Sequence, residues 1–357
     1  MAAVTTADQI VREDLSDLYI NIDQRQTPFL TRLKRGDDLE NVKFFSWALE
    51  RYDGRVITGV PENTDANNFE TDTQTQLYGR SQKFWRQPHV TVEANTINRA
   101  PADFGKYNKQ VIKKVQEQKR DIEQRLLSDA DSRDDDGVTG REVQGLGRFV
   151  NDATSVGSAG AALTFTDTQT TIPTAFRTPT AQIYVSTLYS TNASTGDRLD
   201  FKESTLNGML QSRYDLFGKT NELSCFCDAV FRQHATRMFQ NQQTLSGSTP
   251  IMRIQQLGST EQHWMGKGVM LIDTDFGPVD INLVNWLPRK SGAISGRAYF
   301  LDMEFMYLRA SGLFLTHQQL PDLGAGPRGL IQSILGPQWG DPQAHLKVDP
   351  ANATGTY

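Results

Sequence analysis

The chain has 357 residues, with 37 basic and 42 acidic side chains and a formal net charge of −5. Apolar residues make up 38% and charged residues 22%, which excludes a disordered tail and a histone-like polycation and allows roughly two compact units at ~100–200 residues each. No stretch approaches the ~18 uncharged apolar residues that span a bilayer, and the acidic start MAAVTTADQIVREDLSD lacks the order of a signal peptide, so a cytosolic beginning and no membrane partner are expected. Cys225 and Cys227 are the whole cysteine complement, too few and too close to staple a fold of this size, and both are expected to be reduced and structural.

In chain order, residues 1–40 alternate short amphipathic pieces with breakers, QIVREDLSDLYINI and then Thr27-Pro28-Phe29-Leu30, ending in a charged run at Gly36. So short a segment cannot bury its own apolar side chains, and it reads as an N-terminal arm that needs something to lie on. Residues 43–92 are mostly extended. KFFSWALERYD and GRSQKFWRQPHVTVEA flank a polar middle, which predicts a long hairpin whose ~20-residue arms would reach ~60 Å, farther than a compact domain needs. Its aromatic residues, among them Phe44, Phe45, Trp47, Tyr52, Phe69, Tyr78, Phe84 and Trp85, are expected to contact another subunit rather than form core.

The clearest helix covers residues 101–129. Pro101 suits its first turn, and Phe104, Tyr107, Val111, Val115, Gln118, Ile122 and Leu126 recur at steps of three and four, giving one apolar face along ~43 Å. Between Lys106 and Arg125 the rest of the surface carries seven basic and three acidic side chains. Residues 140–200 are rich in Gly, Ser, Thr and Ala and read as loops with short strands such as AQIYVSTLYS. LNGMLQSRYDLF and LSCFCDAVFRQHATRMF look helical, with Cys225 and Cys227 on different helix faces. A hairpin pivots on Phe276-Gly277-Pro278, and EFMYLRASGLFLTH and GLIQSILGPQWG read as a strand pair before a last short piece at Ala344-His345-Leu346-Lys347-Val348. This order is α+β rather than βαβ.

No catalytic constellation emerges. Gly218-Lys219-Thr220 matches the tail of a phosphate loop, but Arg213 stands where its first glycine is required, and Gly145-Leu146-Gly147 lacks the third glycine of a dinucleotide fingerprint. The histidines His89, His234, His263, His317 and His345 have no metal spacing. The acidic run 129–136 lacks the glycine and glutamate of a calcium loop, and no hydrolase elbow or glycosidase carboxylate pair occurs. No cofactor, metal or catalytic residue is expected. The chain is net acidic and has no DNA-reading motif, so the basic helix face is expected to meet neighbouring acidic surfaces or to make weak phosphate contact, not to bind nucleic acid specifically.

The order of parts resembles the major capsid proteins of tailed bacteriophages, the Hong Kong 97-type fold, and within them the podovirus-like branch without an N-terminal scaffolding segment. The resemblance rests on Thr27-Pro28-Phe29 with its charged follow-on; on Phe45-Ser46-Trp47 and Glu50; on Gly79-Arg80 through Gln87; on the Lys-Arg-Asp-Ile-Glu core of the long helix at 119–123; on Asp273-Thr274-Asp275-Phe276-Gly277 with Asn285-Trp286-Leu287-Pro288; and on Pro342-Gln343-Ala344-His345. It implies an N-terminal arm (1–42) and an extended loop (43–95). It also implies a peripheral domain (96–149 and 297–357) built on a spine helix (101–130), and an axial domain (150–296).

The expected role is self-assembly into hexamers and pentamers of an icosahedral head around double-stranded DNA, in the host cytoplasm. Expected partners are other copies, a scaffolding protein, a portal, a decoration or cement protein, and packaged DNA touched without specificity. Candidate contacts are Arg51, Tyr52, Arg55, Phe69, Tyr78, Arg80, Lys83, Trp85 and Arg86 on the loop and Leu18, Tyr19, Phe29 and Leu30 on the arm, with the helix stripe Phe104, Tyr107, Val111, Val115, Ile122 and Leu126 beneath. The alternatives are another shell or virion protein (portal, tail tube, nanocompartment shell) and, more remotely, an enzyme.

Overall fold

The computed structural model describes residues 27–39, 43–50, 58–62, 65, 74–93, 106–151, 176–186, 201–220, 222–240, 271–287, 296–321 and 326–350. Among these, a short helix α1 (Pro28–Arg32) opens with proline in its first turn, followed by β1 (Lys34–Arg35), β2 (Phe44–Leu49), β3 (Thr75–Arg80) and β4 (Gln82–Arg86). The long helix is α2 (Lys106–Leu126), and α3 (Leu146–Phe149), β5 (Ile183–Ser186), α4 (Glu203–Phe217), β6 (Leu223–Cys227) and α5 (Ala229–Gln240) come next. The chain closes with β7 (Leu271–Thr274), β8 (Gly277–Leu283), β9 (Ala298–Leu301), β10 (Tyr307–Ala310), β11 (Thr316–Leu320), β12 (Arg328–Gln338) and β13 (Leu346–Pro350).

Two sheets organise these parts. In the first, the long strand β12 carries β4 along one edge and β10 and β11 along the other, with β1 parallel to β10. Along β12 burial alternates with period two: Ile331, Ser333 and Leu335 are fully buried, and Gln332 and Ile334 between them are half-buried. Helix α2 covers the buried face. Gln118, the polar member of its apolar stripe, donates from Nε2 to the carbonyl of Phe84 (2.9 Å) and to Ser333 Oγ (3.3 Å), so the amide bridges β4 and β12 instead of lying idle in the core.

The second sheet has the order β5-β13-β9-β6-β8-β7. One face, with Cys225, Cys227, Ile281, Phe300 and Val348, packs against Leu206, Met209 and Leu210 of α4 and Phe231 and Ala235 of α5. The other face, with Phe226, Tyr299 and Leu301, belongs to the same core as Phe29, Phe149 and Trp339. The sheet is therefore covered on both sides.

That double burial corrects the reading of LSCFCDAVFRQHATRMF as one helix. Leu223–Cys227 is a strand buried at every position, and a strand buried on both faces reads as an unbroken apolar run with no period to mark it. The helix begins only after Asp228, whose Oδ1 accepts from the backbone N–H of Phe231 (2.8 Å) as an N-cap. In a strand, residues two apart share a face, so the two thiols lie on the same side. Both cysteines are free and fully buried, and burial pushes the Cys225 thiol well above its ordinary range.

The single long hairpin over 43–92 is also corrected. β2 and β3 pair antiparallel from Phe44↔Arg80 to Leu49↔Thr75, but after Ser81 the chain changes partner and β4 joins β12. One residue, Ser81, separates the two strands, and no Gly or Pro stands between them to mark a break, so the sequence carries no sign of the switch. The β7–β8 hairpin and the pairing of β10 and β11 with β12 match expectation. Gly218 ends α4 in the left-handed region (φ 62°), which accounts for the Gly-Lys-Thr tripeptide as a helix stop.

Candidate assembly surfaces

The β2–β3 pair joins neither large sheet and is moored at its base by aromatic rings. Phe45 lies in a slot closed by two glycines: a Cβ at Gly79 would come within 2.6 Å of the ring, and one at Gly336 within 2.5 Å. Only a residue without a side chain permits that approach. Trp47 packs on Phe149 (ring centroids 6.4 Å) and donates from Nε1 to the carbonyl of Gly340 (2.9 Å). Residues 50–74 then run from Leu49 to Thr75, far more chain than a hairpin turn requires. The described members of that excursion, Glu50, residues 58–62, Asp65 and Gln74, are all exposed, Val60 at 73%.

At the other end, the N-terminal piece is fastened to α2. Phe29 is fully buried, edge-on to Phe226 (5.1 Å) and beside Trp339 (6.2 Å). The carboxylate of Glu123, itself fully buried, accepts from the backbone N–H of Leu30 (3.1 Å). It satisfies a donor that the first turn of a helix leaves open. Burial raises the Glu123 carboxyl to about 7, against the downward pull of the Leu30 and Phe29 N–H groups.

The spine joins the second sheet through a buried ionic cluster. Arg297 reaches Asp129 (2.7 Å) just past the end of α2 and Asp349 (2.6 Å) on β13, and Lys347 reaches Asp349 (3.1 Å) and donates to the carbonyl of Gly147 (2.8 Å). Burial alone would raise Asp349, yet Lys347 and Arg297 hold it down at about 2. Gly147 is closely approached here: a Cβ would sit 1.9 Å from Asp129 Oδ1 and 2.4 Å from the Tyr299 hydroxyl, so any side chain would have to displace these ends of the cluster. A second buried pair, Arg213 with Asp302 (2.6 Å), ties α4 to the chain beyond β9. Next to it His345 accepts from the Asp302 N–H and bonds the Trp339 carbonyl (3.0 Å), and burial lowers its imidazole to about 4.

The expected contact residues meet different fates. Leu18, Tyr19, Arg51, Tyr52, Arg55, Phe69 and Phe104 lie outside the described residues. Phe29 and Leu30, expected on a neighbour, are instead in the core of their own chain, as are Phe45, Trp47 and Phe84; their spacing marks an apolar face without saying whose core it enters. Arg86 is engaged by Asp121 (2.7 Å) and Glu117 (3.8 Å) of α2, and Arg80 by Asp134 (2.8 Å).

Trp85 is different. It points away from α2, 58% exposed, with the Lys83 ammonium 5.3 Å from its ring, and Tyr78 is half-buried with its hydroxyl on Gln76 (3.0 Å). Along α2, Tyr107, Val111 and Val115 are half-buried, whereas Ile122 and Leu126 are fully buried. Glu123 and the Asp129–Arg297–Lys347–Asp349 cluster had no sequence signal, because a charged residue beside an apolar stripe looks solvent-facing until its partners are known. Among the described residues no group of three or more His, Cys, Asp or Glu could hold a metal, and no helix is long and apolar enough to cross a membrane.

A family model for the SU10 major capsid protein matches residues 2–352. The chain belongs to the SU10 major capsid protein family. As a major capsid protein it is a structural shell protein of a phage head and a component of the virion. The α+β architecture agrees: it is similar to the capsid of the cyanophage P-SCSP1u (9% identity, TM-score 0.61, covering 98% of this chain and 96% of that one). It is also similar to the capsid of a native GTA particle (11%, 0.59, 96% and 96%) and to that of cyanophage A-1(L) (13%, 0.56, 97% and 98%). At these identities the likeness establishes the fold, which is that of Hong Kong 97-type phage capsids. Comparison with curated proteins gives no match.

Proposed function

We propose that copies of this chain assemble into hexamers and pentamers that close an icosahedral head around packaged double-stranded DNA, and that its work is assembly and containment rather than catalysis. The carrying observation is the β2–β3 pair, which stands outside both sheets and leads into an excursion whose described residues are exposed. Such a projection gains its burial from a neighbour. The contacts are made by Arg51, Tyr52, Arg55, Phe69 and Tyr78 on this loop, by Lys83 and Trp85 on the outer face of the first sheet, and by Leu18 and Tyr19 of the arm.

The first sheet with α2 serves as peripheral domain. The second sheet with α4 and α5 serves as axial domain, and it draws β9 and β13 from the C-terminal part of the chain. Several moderate contacts per subunit make a closed shell cooperative, and the net charge of −5 disfavours sticking to DNA. Scaffolding, portal and decoration proteins are the further partners, met in the host cytoplasm.

The test is electron microscopy and light scattering of the protein expressed alone and with a scaffolding protein, beside a variant in which an Asn-Gly turn replaces residues 51–73. Wild type is expected to give regular shells or capsomers and the variant folded subunits only. Regular shells from the variant would overturn the role of the loop, and a monomer under both conditions would overturn assembly.

A further inference from the structure

The strands of the first sheet, β1, β4, β10, β11 and β12, contain no Asp or Glu, although the chain is net acidic. Of their cations, Arg86 turns to Asp121 and Glu117 of α2, but Lys34, Arg35, Lys83, Arg309 and Arg328 have no carboxylate partner among the described residues. Arg35, Lys83 and Arg309 stand instead over the rings of Phe314 (4.4 Å), Trp85 (5.3 Å) and Phe45 (5.6 Å). The strand register places Trp85 opposite Gln332 and Lys83 opposite Ile334, on the face turned away from α2, where Leu330, Ile334 and Arg328 are half-buried. The face is thus apolar at its centre and basic at its rim. Asp37 and Asp38 lie beyond β1 beside β10, about three strand spacings or ~14 Å from β4, and Asp134 at the end of β3 is held by Arg80 (2.8 Å).

A surface of opposite charge lies where α4 meets the second sheet. At the C-terminal end of α4 the ring of Tyr214, 40% exposed, packs on Phe276 in the β7–β8 turn (centroids 5.7 Å). Around this pair Asp215, Asp273 and Asp275 are exposed, and none of them has a cation partner among the described residues. The neighbouring cations are engaged elsewhere: Arg213 is buried against Asp302 (2.6 Å), and Lys219 stands over the Phe305 ring opposite Glu304 (3.9 Å). Trp85 and Tyr214 are both exposed in one chain, so the two surfaces do not cover each other in cis.

We propose that the basic aromatic face of the first sheet, with Trp85, Lys83 and Arg328, packs on the acidic aromatic patch of a second copy, with Tyr214, Asp215 and Asp275. The inference rests on the assembly reading and deepens it by naming what Trp85 and Lys83 meet. Cations beside exposed aromatic and aliphatic side chains face carboxylates beside exposed aromatic rings. In such an interface the charges fix encounter and register, and the aromatic centre supplies the affinity. Because the two surfaces differ, the contact runs head to tail, each copy offering one of each, and it closes into a ring when the rotation per copy divides a full turn.

The test swaps charges in the full chain. Lys83→Glu and Asp275→Lys alter exposed side chains and should leave the urea midpoint of dispersed subunits unmoved, while each cuts the yield of capsomers and shells in the electron microscope about tenfold. Lys83→Glu/Asp275→Lys in one chain opposes the charges again at every contact and is expected to return the yield to within about twofold of wild type. In parallel, Lys83→Cys and Asp275→Cys chains are mixed with a short bismaleimide; Cys225 and Cys227 are fully buried and do not compete. A crosslink joining one chain of each kind is expected, and it should be largely absent from either variant alone. Single variants that assemble as wild type, or a double variant no better than the singles, would overturn this pairing while wild-type shells uphold assembly itself. Crosslinks that predominate in Lys83→Cys alone would give the face to its own kind and overturn the pairing too. A wild type that stays a monomer would overturn the assembly reading, and this inference with it.

Discussion

Replacing Glu123 with Gln isolates one titration in the joint between α1 and α2. The folded carboxyl titrates at about 7 against an ordinary 4.5. A raised carboxyl destabilises the fold as pH rises, because the unfolded chain gives up its proton first. The cost is small below pH 4.5, grows through the window from 4.5 to 7, and is then constant. With about 1.4 kcal/mol per pH unit, it amounts to about 0.8 kcal/mol at pH 5 and about 3.3 kcal/mol at pH 8.

Glu123→Gln keeps an oxygen for the Leu30 N–H and cannot ionise. Its stability relative to wild type should therefore improve by about 2.5 kcal/mol between pH 5 and pH 8. Urea denaturation of dispersed subunits, followed by tryptophan fluorescence at pH 5, 6, 7 and 8, measures this, since Trp47 and Trp339 are both in that core. A difference between the two proteins that stays constant over this range would show that the carboxyl is already ionised at pH 5, and the account of a buried, desolvated clasp would be wrong.

His345 titrates with the opposite sign. Its imidazole is lowered to about 4 from 6.5, so its stabilisation is complete above pH 6.5 and is lost as pH falls to 4, by up to about 3 kcal/mol. The two slopes oppose each other between pH 4.5 and 6.5, and Glu123→Gln should unmask the acid limb in the same urea series. Gly147→Ala drives a methyl into Asp129 and Tyr299 and should lower stability by at least about 2 kcal/mol; an unchanged urea midpoint would mean the ionic joint is slack. Trp85→Glu alters an exposed position and should leave subunit stability within about 0.5 kcal/mol while abolishing shells in the electron microscope. Normal shells would remove Trp85 from the interface.

Periodicity alone marks the parts whose pattern is clean and whose burial is one-sided: the long helix with its stripe through Ile122 and Leu126, the Phe276-Gly277 hairpin, the strands around the 321–327 loop, and the α+β order that carries the family resemblance. It failed where burial is two-sided, as at Leu223–Cys227, and where an aromatic run changes partner in a single residue, as at Ser81. Which apolar face belongs to which core was decided by tertiary structure alone. Phe29 and Trp85 are both aromatics in extended or breaker-flanked sequence, yet the first is fully buried against Phe226 and the second is 58% exposed. The clasp at Glu123 and the cluster of Asp129, Arg297, Lys347 and Asp349 were decided there too. Their members come from distant parts of the chain, and a charged side chain acquires its role only when its counter-charge and its burial are fixed together.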